Sequence, residues 1–457
     1  MASLTPPAET KPGGGQQEQW QGLEDSIQDP EEMRVLCCAL DSFLQYPKVA
    51  HFNSTHLRRQ SFYALPRAHW ELLAKPPFNY LDTLTAVDDA IDSNAELARA
   101  IVTSGLQSFH LSSLPTPPPA TPSSGLPTLP EAWQGVARNS DVDKARSTIR
   151  QFYRDWSAAG AVERESCYGP VKEALDDERS SPRSGASKRG GQDDEEEEPF
   201  RVLVPGAGLG RLVFDLCASG YESEGNEISY HQLLASSYIL NGTEGAGQHT
   251  IYPWVHSFSN HRTRANHLAS CTVPDIHPAT ELKRRGPNAG SMSMCAADFL
   301  CLYSDGEHRD HYDAVASVFF LDTAPNLIRY LETIYSCLKP GGVLVNFGPL
   351  LWHFENNAPG NHGHDDDGDG VHDAKNSNGI ADPGSFELTD EEVTALVEHM
   401  GFKIEERRTD IEAPYVIDPE SMLKTVYKAS FWVARKAGPG GQALGLVAST
   451  PSNAQKQ

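Results

Sequence analysis

The chain has 457 residues, a formal net charge of −24 and eight cysteines. This length accommodates two or three domains, or one domain with large insertions. The acidic balance argues against a nucleic-acid partner, because binding to phosphates requires clustered Lys and Arg side chains. No stretch approaches the roughly 20 consecutive apolar residues of a membrane helix, and residues 1–19 lack the apolar core of a signal peptide, so no membrane partner is expected.

The cysteines are scattered through apolar segments without a C-x-x-C pair. This pattern predicts reduced core residues of an intracellular protein and no disulfide framework. The expected compartment is the cytosol, with the nucleus as a second location. A homodimer is compatible with the sequence. The eight positions are Cys37, Cys38, Cys167, Cys217, Cys271, Cys295, Cys301 and Cys337.

The first part of the chain divides by composition. Residues 1–28 are polar and rich in Pro, Gly and Gln, which predicts a disordered N-terminus. Residues 29–175 are predicted to be a helical N-terminal region, because apolar residues recur at three- and four-residue spacing. A Pro-rich insertion at residues 111–130 interrupts it, since proline cannot continue a helix. Residues 176–198 end in the acidic run 193–198 and are predicted to be a linker.

Residues 199–355 alternate between predicted strands and helices. Strands are predicted at 201–205, 222–227, 312–320 and 343–347, and helices at 230–240 and 326–338. Asp322 is expected to cap the second of these helices, with Pro325 in its first turn. The alternation predicts an α/β fold with a Rossmann-like, doubly wound and mostly parallel sheet.

Residues 385–437 are predicted to complete this core. A helix begins after Thr389, with Glu392 at the capping-box position. The strands that follow, at 402–407 and 427–434, are expected to finish the sheet with an antiparallel edge. Residues 438–457 are predicted to be a flexible tail.

A His/Asp/Gly/Asn-rich insertion occupies residues 356–384. Within it, Asp365, Asp367 and Asp369 match the start of a calcium loop, but Asn376 stands where a bidentate acid is needed. A solvated low-complexity insertion is therefore the preferred interpretation, and no metal site is predicted.

The run RVLVPGAGLGRL at residues 201–212 predicts a cofactor site. A strand leads into a turn with Gly206, Gly208 and Gly210, and an apolar helix follows. Such a turn brings bare backbone N–H groups close to a ligand at the carboxyl edge of a parallel sheet. Glu227 lies 21 residues after Gly206, at the end of the second strand. A carboxylate there accepts both hydroxyls of a ribose.

The glycine spacing favours one nucleoside cofactor over the others. Dinucleotide binders use G-x-G-x-x-G to present a helix N-terminus to a pyrophosphate. The spacing here is G-x-G-x-G, with no phosphate-binding lysine pattern, and this suits S-adenosylmethionine. An NAD-dependent oxidoreductase and a non-catalytic scaffold with a degenerate cofactor fold are the alternatives. The scaffold is disfavoured because the acids and the histidine described next are all present.

Three further acids and bases follow predicted strands. Asp298, with Phe299 beside it, lies where a third strand ends, and an acid there can accept from an adenine amino group. Asp322 and His353 follow two later strands and reach the same edge, where they form a plausible substrate clamp.

Upstream, Gln151 and Arg154 share one face of a predicted helix. The Arg154 guanidinium can bind a carboxylate through two parallel N–H donors.

Six segments together resemble the carnosine N-methyltransferase family: RVLVPGAGLGRL, GNEISYHQLLASSYILN, YPWVHSFSN, AADFL, FFLDTAPN and GPLLWHFEN. The resemblance covers residues 33–435 apart from the three insertions. It implies a class I methyltransferase core with an N-terminal helical extension. It also implies methyl transfer from S-adenosylmethionine to an imidazole nitrogen of carnosine (β-alanyl-histidine), giving anserine. A different histidine-containing peptide or a protein histidine remains the alternative substrate.

The resemblance also implies roles for single residues. Gln151 and Arg154 are expected at the amino-acid end of the cofactor, with Gly206 and Gly208 in its loop. Glu227 is expected at the ribose, and Asp298 and Phe299 at the adenine. Val318 stands where the family has a small residue that touches the cofactor, so backbone contact is expected there. The implied substrate-binding residues are Asp322, His353, Tyr427 and, as a weaker candidate, Tyr415; the first three are also the candidate catalytic residues.

Overall fold

The fold is described from a computed structural model, which describes residues 30–109, 129–181, 198–357 and 384–437. Several predictions concern residues outside these ranges: the disordered N-terminus at 1–28, most of the insertions at 111–130 and 356–384, and the flexible tail at 438–457. The calcium-like positions Asp365, Asp367, Asp369 and Asn376 also lie outside them.

The N-terminal region is helical, as predicted. Its helices are α1 (Pro30–His51), α2 (Leu57–Tyr63), α3 (Arg67–Leu73), α4 (Tyr80–Ser108), α5 (Asn139–Trp156) and α6 (Ala161–Ser180), with a π-helical turn at Phe52–His56. The predicted start of the linker at residue 176 is wrong, because α6 continues to Ser180. The end of α6 is held by contacts with the core: the Tyr221 hydroxyl donates to Asp176, and the Arg179 guanidinium donates to the Ser219 carbonyl.

Nine strands follow in the described part of the chain. They are β1 (Arg201–Pro205), β2 (Glu222–Glu227), β3 (His249–Ile251), β4 (Cys271–Val273), β5 (Met292–Ala296), β6 (Tyr312–Val318), β7 (Leu338–Gly348), β8 (Phe402–Pro414) and β9 (Val426–Lys436). Seven of them form one sheet in the order β5-β2-β1-β6-β7-β9-β8, and β3 pairs with β4 separately. Pairing is parallel from β5 to β7, whereas β9 runs antiparallel to β7 and β8. The predicted doubly wound, mostly parallel sheet with an antiparallel edge is confirmed.

The helices of the core are α7 (Arg211–Ala218), α8 (Tyr230–Ser237), α9 (Arg264–His267), α10 (Pro278–Arg285), α11 (Phe299–Tyr303), α12 (Leu327–Cys337) and α13 (Asp390–His399). The capping box of α13 is present as predicted, since the Thr389 hydroxyl accepts the Glu392 N–H and the Glu392 carboxylate accepts the Thr389 N–H.

The predicted helix cap at Asp322 is wrong. Residues Leu321–Thr323 form a 3₁₀ turn, and α12 begins only after its N-cap residue Asn326. The Asp322 carboxylate is instead occupied across the sheet edge, where it accepts the N–H of Leu351 at 2.9 Å. Strand β6 also ends two residues before the predicted end, because Phe319 takes a left-handed backbone conformation with φ of 53°.

The N-terminal helices and the sheet share one hydrophobic core. A Cβ at Gly105 of α4 would lie 2.7 Å from Leu234 of α8 and 2.9 Å from Leu40 of α1, which shows how closely these helices approach. The Trp156 indole of α5 donates to the carbonyl of Leu209 in the glycine turn at 3.0 Å. Helix α5 is therefore fixed against the turn that the sequence assigned to the cofactor.

All eight cysteines are free, but they are not all core residues. Cys271 and Cys295 are partly buried, and Cys301 is exposed because it lies on the short surface helix α11. The prediction of a core position is wrong for Cys301. Within the described ranges, we find no helix with the length and apolarity needed to span a membrane.

Candidate functional site

The carboxyl ends of β1, β2, β5 and β6 meet at one edge of the sheet, here called the carboxyl edge. Neighbouring strands end in register, with Pro205 opposite Asn226 and Glu227 opposite Ala296. The predicted residues that follow these strands therefore lie side by side at the carboxyl edge.

The glycine turn places all three of its glycines in the left-handed region, with Gly210 at φ of 72°. Gly206 and Gly208 have φ of 65° and 56°, a left-handed conformation that side chains disfavour. A Cβ on Gly206 would lie 2.8 Å from the Phe320 ring, and one on Gly208 would lie 3.2 Å from Nε2 of Gln151. The bare turn thus faces both the end of β6 and the predicted cofactor residue on α5.

Glu227 is held rigidly beside this turn. Its Oε2 accepts the N–H of Gly208 at 2.9 Å, and its Oε1 accepts the N–H groups of Ile228 and Ser229, each at 2.9 Å. Burial raises the pKa of Glu227, and these three N–H groups oppose that rise by stabilising the ionised form. The result is a fixed acceptor at the end of β2.

Arg154 is a buried cation whose ion pair is long. The residue is 4% exposed, and the nearest ion-pair contact is to Oδ1 of Asp155 at 3.6 Å. Its Nε has no hydrogen-bond partner among the described residues. The guanidinium carbon instead lies 4.6 Å from the Tyr415 ring centre, 5.2 Å from that of Tyr168 and 5.4 Å from that of Phe319. A buried cation with an unused donor is a binding point for an anion.

Gln151 faces the glycine turn at Gly208 and is bound to Asp155 and Gln232. It lies one helical turn before Asp155 and donates to that carboxylate at 3.1 Å, while its Oε1 accepts from Gln232 of α8 at 2.7 Å. Gln151 therefore lies against Gly208, which Glu227 binds, and Arg154 follows Gln151 on the same helix. Their roles towards the cofactor stay predictions, as does that of Gly206.

Asp322 and His353 meet through the backbone that follows β7. The N–H of Leu351 donates to the Asp322 carboxylate, and the N–H of His353 donates to the Asp322 carbonyl at 3.1 Å. Asp322 is buried, whereas the side chain of His353 is exposed. Burial raises the pKa of Asp322, and the Leu351 N–H and the nearby His353 oppose that rise.

Phe319 connects this side of the site to two tyrosines of the C-terminal segment, Tyr415 in the β8–β9 loop and Tyr427 in β9. Its ring centre lies 5.1 Å from that of Tyr415 and 6.1 Å from that of Tyr427. The two tyrosines, which the sequence alone could not place, therefore lie within one aromatic cluster with Arg154.

The side chains of Asp298 and Phe299, the predicted adenine contacts, each make contacts within the protein. Asp298 caps α11 by accepting the N–H of Cys301 at 2.9 Å. The Phe299 ring is buried against Phe320 and Tyr330, with ring centres 5.4 Å away in each case. Val318 is partly buried as the last residue of β6.

Strained backbone concentrates at this edge. Among the described residues, the non-glycine positions with positive φ are Asn or Asp except for Phe319, Trp352 and Val416, at 53°, 44° and 47°. Large and β-branched side chains rarely adopt this conformation, and such strain is typical of functional sites. Each of the three adjoins a predicted site residue: Val318, His353 and Tyr415 respectively.

Sequence reasoning missed several residues of this site. Phe319 and Phe320 stand in the segment FFLDTAPN, which pointed to the family but received no role beyond Asp322. Tyr168 and Gln232 had no local signal, because a tyrosine and a glutamine on amphipathic helices are common and only the packing of α6 and α8 brings them here.

The comparison with known proteins decides the family. The family profile described as carnosine N-methyltransferase matches residues 131–438. The chain belongs to this family. A carnosine N-methyltransferase of Schizosaccharomyces pombe is 34% identical over 89% of this chain and 97% of its own length. One from Mus musculus is 32% identical over 87% of this chain and 84% of its own.

Proposed function

We propose that this protein transfers a methyl group from S-adenosylmethionine to an imidazole nitrogen of carnosine, giving anserine. Family membership supports the reaction class. The observation that carries the proposal is the buried Arg154 guanidinium with its unused N–H. It lies on the same helix as Gln151, which faces the bare turn at Gly208, where the N–H is bound by the fixed carboxylate of Glu227.

The described residues fit this cofactor. Arg154 and Gln151 would hold its amino-acid end, since a carboxylate satisfies the unused donor of Arg154. Glu227 would hold the ribose, and Asp298 with the backbone of Phe299 would hold the adenine. When bound, S-adenosylmethionine supplies the electrophilic methyl group.

The substrate needs positioning more than activation. An imidazole has an ordinary pKa of about 6.5, so near neutral pH it is mostly uncharged and one nitrogen carries a free lone pair. Asp322 is the best-placed group to accept the opposite ring N–H, which selects the tautomer and stabilises the positive charge that develops on the ring. His353 and Tyr427 would hold the rest of the dipeptide, and Phe319 would exclude water.

A second candidate substrate is a longer histidine-containing peptide or a protein histidine. The exposure of His353 favours this second candidate, because the substrate side of the site opens towards solvent there and leaves room for a larger substrate.

Two measurements test the proposal. Thermal-shift assays should show stabilisation by S-adenosylmethionine and by its demethylated product, S-adenosylhomocysteine, and none by NAD. Methyl-transfer assays should then show higher kcat/KM for carnosine than for free histidine or for short His peptides. Stabilisation by NAD alone would contradict the cofactor, and a preference for peptides would move the assignment to the second substrate.

A further inference from the structure

The loop between β8 and β9, residues 415–425, is anchored to the N-terminal helices by side chains. The Glu163 carboxylate of α6 accepts two consecutive backbone N–H groups, that of Val416 at 2.6 Å and that of Ile417 at 2.9 Å. The Arg150 guanidinium of α5 donates to the carbonyl of Val416. Both polar groups of the Val416 backbone are therefore bound by the N-terminal region.

This anchoring holds the loop in a costly conformation. Val416 is β-branched and has φ of 47°, where a β-branched residue is a genuine outlier. Such a conformation persists only when the surroundings over-determine it. Glu163 is 5% exposed, and the hydrogen bonds described for its carboxylate go to this loop.

The conformation of Val416 decides where Tyr415 lies. The Tyr415 ring centre is 4.6 Å from the Arg154 guanidinium carbon and 5.1 Å from the Phe319 ring centre. Tyr415 thus forms one wall of the enclosure around Arg154, and the main chain next to it is held by Glu163.

We propose that Glu163 is a positioning residue for the cofactor, which acts by fixing the β8–β9 loop so that Tyr415 stays over Arg154. This inference rests on the proposed function, because it assigns the enclosure around Arg154 to the carboxylate end of S-adenosylmethionine. Glu163 itself does not touch the cofactor in this account.

The test compares E163Q with E165Q in the full chain. Gln keeps the size of Glu163 but offers one oxygen for two N–H groups, so the loop loses one of its anchors. Glu165 lies two residues further along α6 with a side chain that is 70% exposed, which makes E165Q a matched control. We expect E163Q to weaken S-adenosylhomocysteine binding about tenfold by calorimetry, the loss typical of one hydrogen bond to a charged group. E165Q should bind like the wild type.

Two further readouts separate positioning from a general loss of structure. The KM for S-adenosylmethionine should rise in E163Q while kcat stays within about twofold, since Asp322 and its surroundings are unchanged. Hydrogen exchange at the amides of Val416 and Ile417 should become faster. Unchanged S-adenosylhomocysteine affinity despite faster exchange would overturn the proposal.

A double-mutant cycle with Y415A tests the route of the effect. If Glu163 acts through Tyr415, E163Q/Y415A should bind S-adenosylhomocysteine no more weakly than Y415A alone, whereas additive losses would overturn the proposal. If E163Q does not fold, E163D replaces it, because Asp keeps the charge on a shorter side chain. The losses of S-adenosylhomocysteine affinity in E163D and Y415A must then be non-additive in the same way. Wild-type protein that fails to bind S-adenosylhomocysteine would overturn the proposed function, and this inference with it.

Discussion

At the scale of single residues, the site is built from polar groups whose burial is only partly compensated within the protein. Arg154 has a donor without a partner among the described residues, and Asp322 is a buried acid whose carboxylate accepts the Leu351 N–H. Burying such groups costs free energy unless a ligand completes their hydrogen bonds. Substitutions at these two positions should therefore affect binding and turnover separately.

Replacing Arg154 by Met should weaken S-adenosylhomocysteine binding by roughly 30- to 150-fold, because a buried hydrogen bond to a charged group contributes about 2–3 kcal/mol. Met keeps the apolar packing against Tyr415 and Phe319. Calorimetry measures the change. Arg146→Met on the exposed face of the same helix is the control, and equal affinities in the two variants would contradict the role of Arg154.

Replacing Asp322 by Ala should abolish methyl transfer to carnosine while leaving S-adenosylhomocysteine affinity nearly intact, since the carboxylate is assigned to the substrate. Asp322→Asn keeps an oxygen for the Leu351 N–H and should show the same split, which separates catalysis from support of the loop. Single-turnover assays and calorimetry measure the two effects. A loss of S-adenosylhomocysteine affinity with turnover preserved would assign Asp322 to the cofactor site instead of the substrate site.

At the scale of elements, the glycine turn depends on close packing between strands and helices. A Cβ on Gly225 of β2 would lie less than 3.0 Å from Met294, Val213 and Ala207. These residues belong to β5, α7 and the glycine turn, so an added methyl group would push three elements apart. The shape of the turn is thus linked to packing beneath it.

Gly225→Ala should therefore lower the free energy of unfolding by about 1–3 kcal/mol through overpacking, and should also weaken S-adenosylhomocysteine binding. Urea unfolding and calorimetry measure these changes. Gly245→Ala is the matched control, because a Cβ there meets nothing within 4 Å. Equal stabilities of the two variants would show that the core accommodates the methyl group without strain.

At the scale of the whole molecule, the N-terminal helices and the sheet form one core, joined partly by buried histidines. His231 of α8 shares a hydrogen bond with the Ser42 hydroxyl of α1 at 3.1 Å. Burial lowers the pKa of His231 to about 4, and that of His267 to about 4 as well. In the unfolded chain both groups titrate at their ordinary pKa of about 6.5.

Stability should consequently fall as the pH drops from about 6.5 to about 4. In this window the unfolded chain binds more protons than the folded one, so each histidine lowers the free energy of unfolding by about 1.4 kcal/mol per pH unit. Urea titrations between pH 8 and pH 5 measure the slope. His231→Gln should reduce the slope of the free energy of unfolding against pH. An unchanged slope in that variant would contradict the contribution of His231 to it.

Local patterns in the sequence account for most of the core elements. Strands β1 and β2 lie where their β-branched run and terminal acid predicted, and the capping box of α13 is satisfied by Thr389 and Glu392. The end of β6 and the cap residue of α12 were misplaced, whereas the start of α12 lies within one residue of its predicted position. Local rules favoured Asp322 as a cap, whereas a contact with Leu351, remote in sequence, decided its position.

The fold class, the nucleoside cofactor and the family could be read from the amino-acid sequence, because hydrophobic periodicity, glycine spacing and the quoted segments are local properties of the chain. The folded chain was needed to find the aromatic rings around Arg154, the strained backbone at Phe319, Trp352 and Val416, and the anchoring of the β8–β9 loop by Glu163. These features arise from contacts between residues far apart in sequence. Their energies depend on burial and on which groups the packing brings together, and no local pattern encodes either.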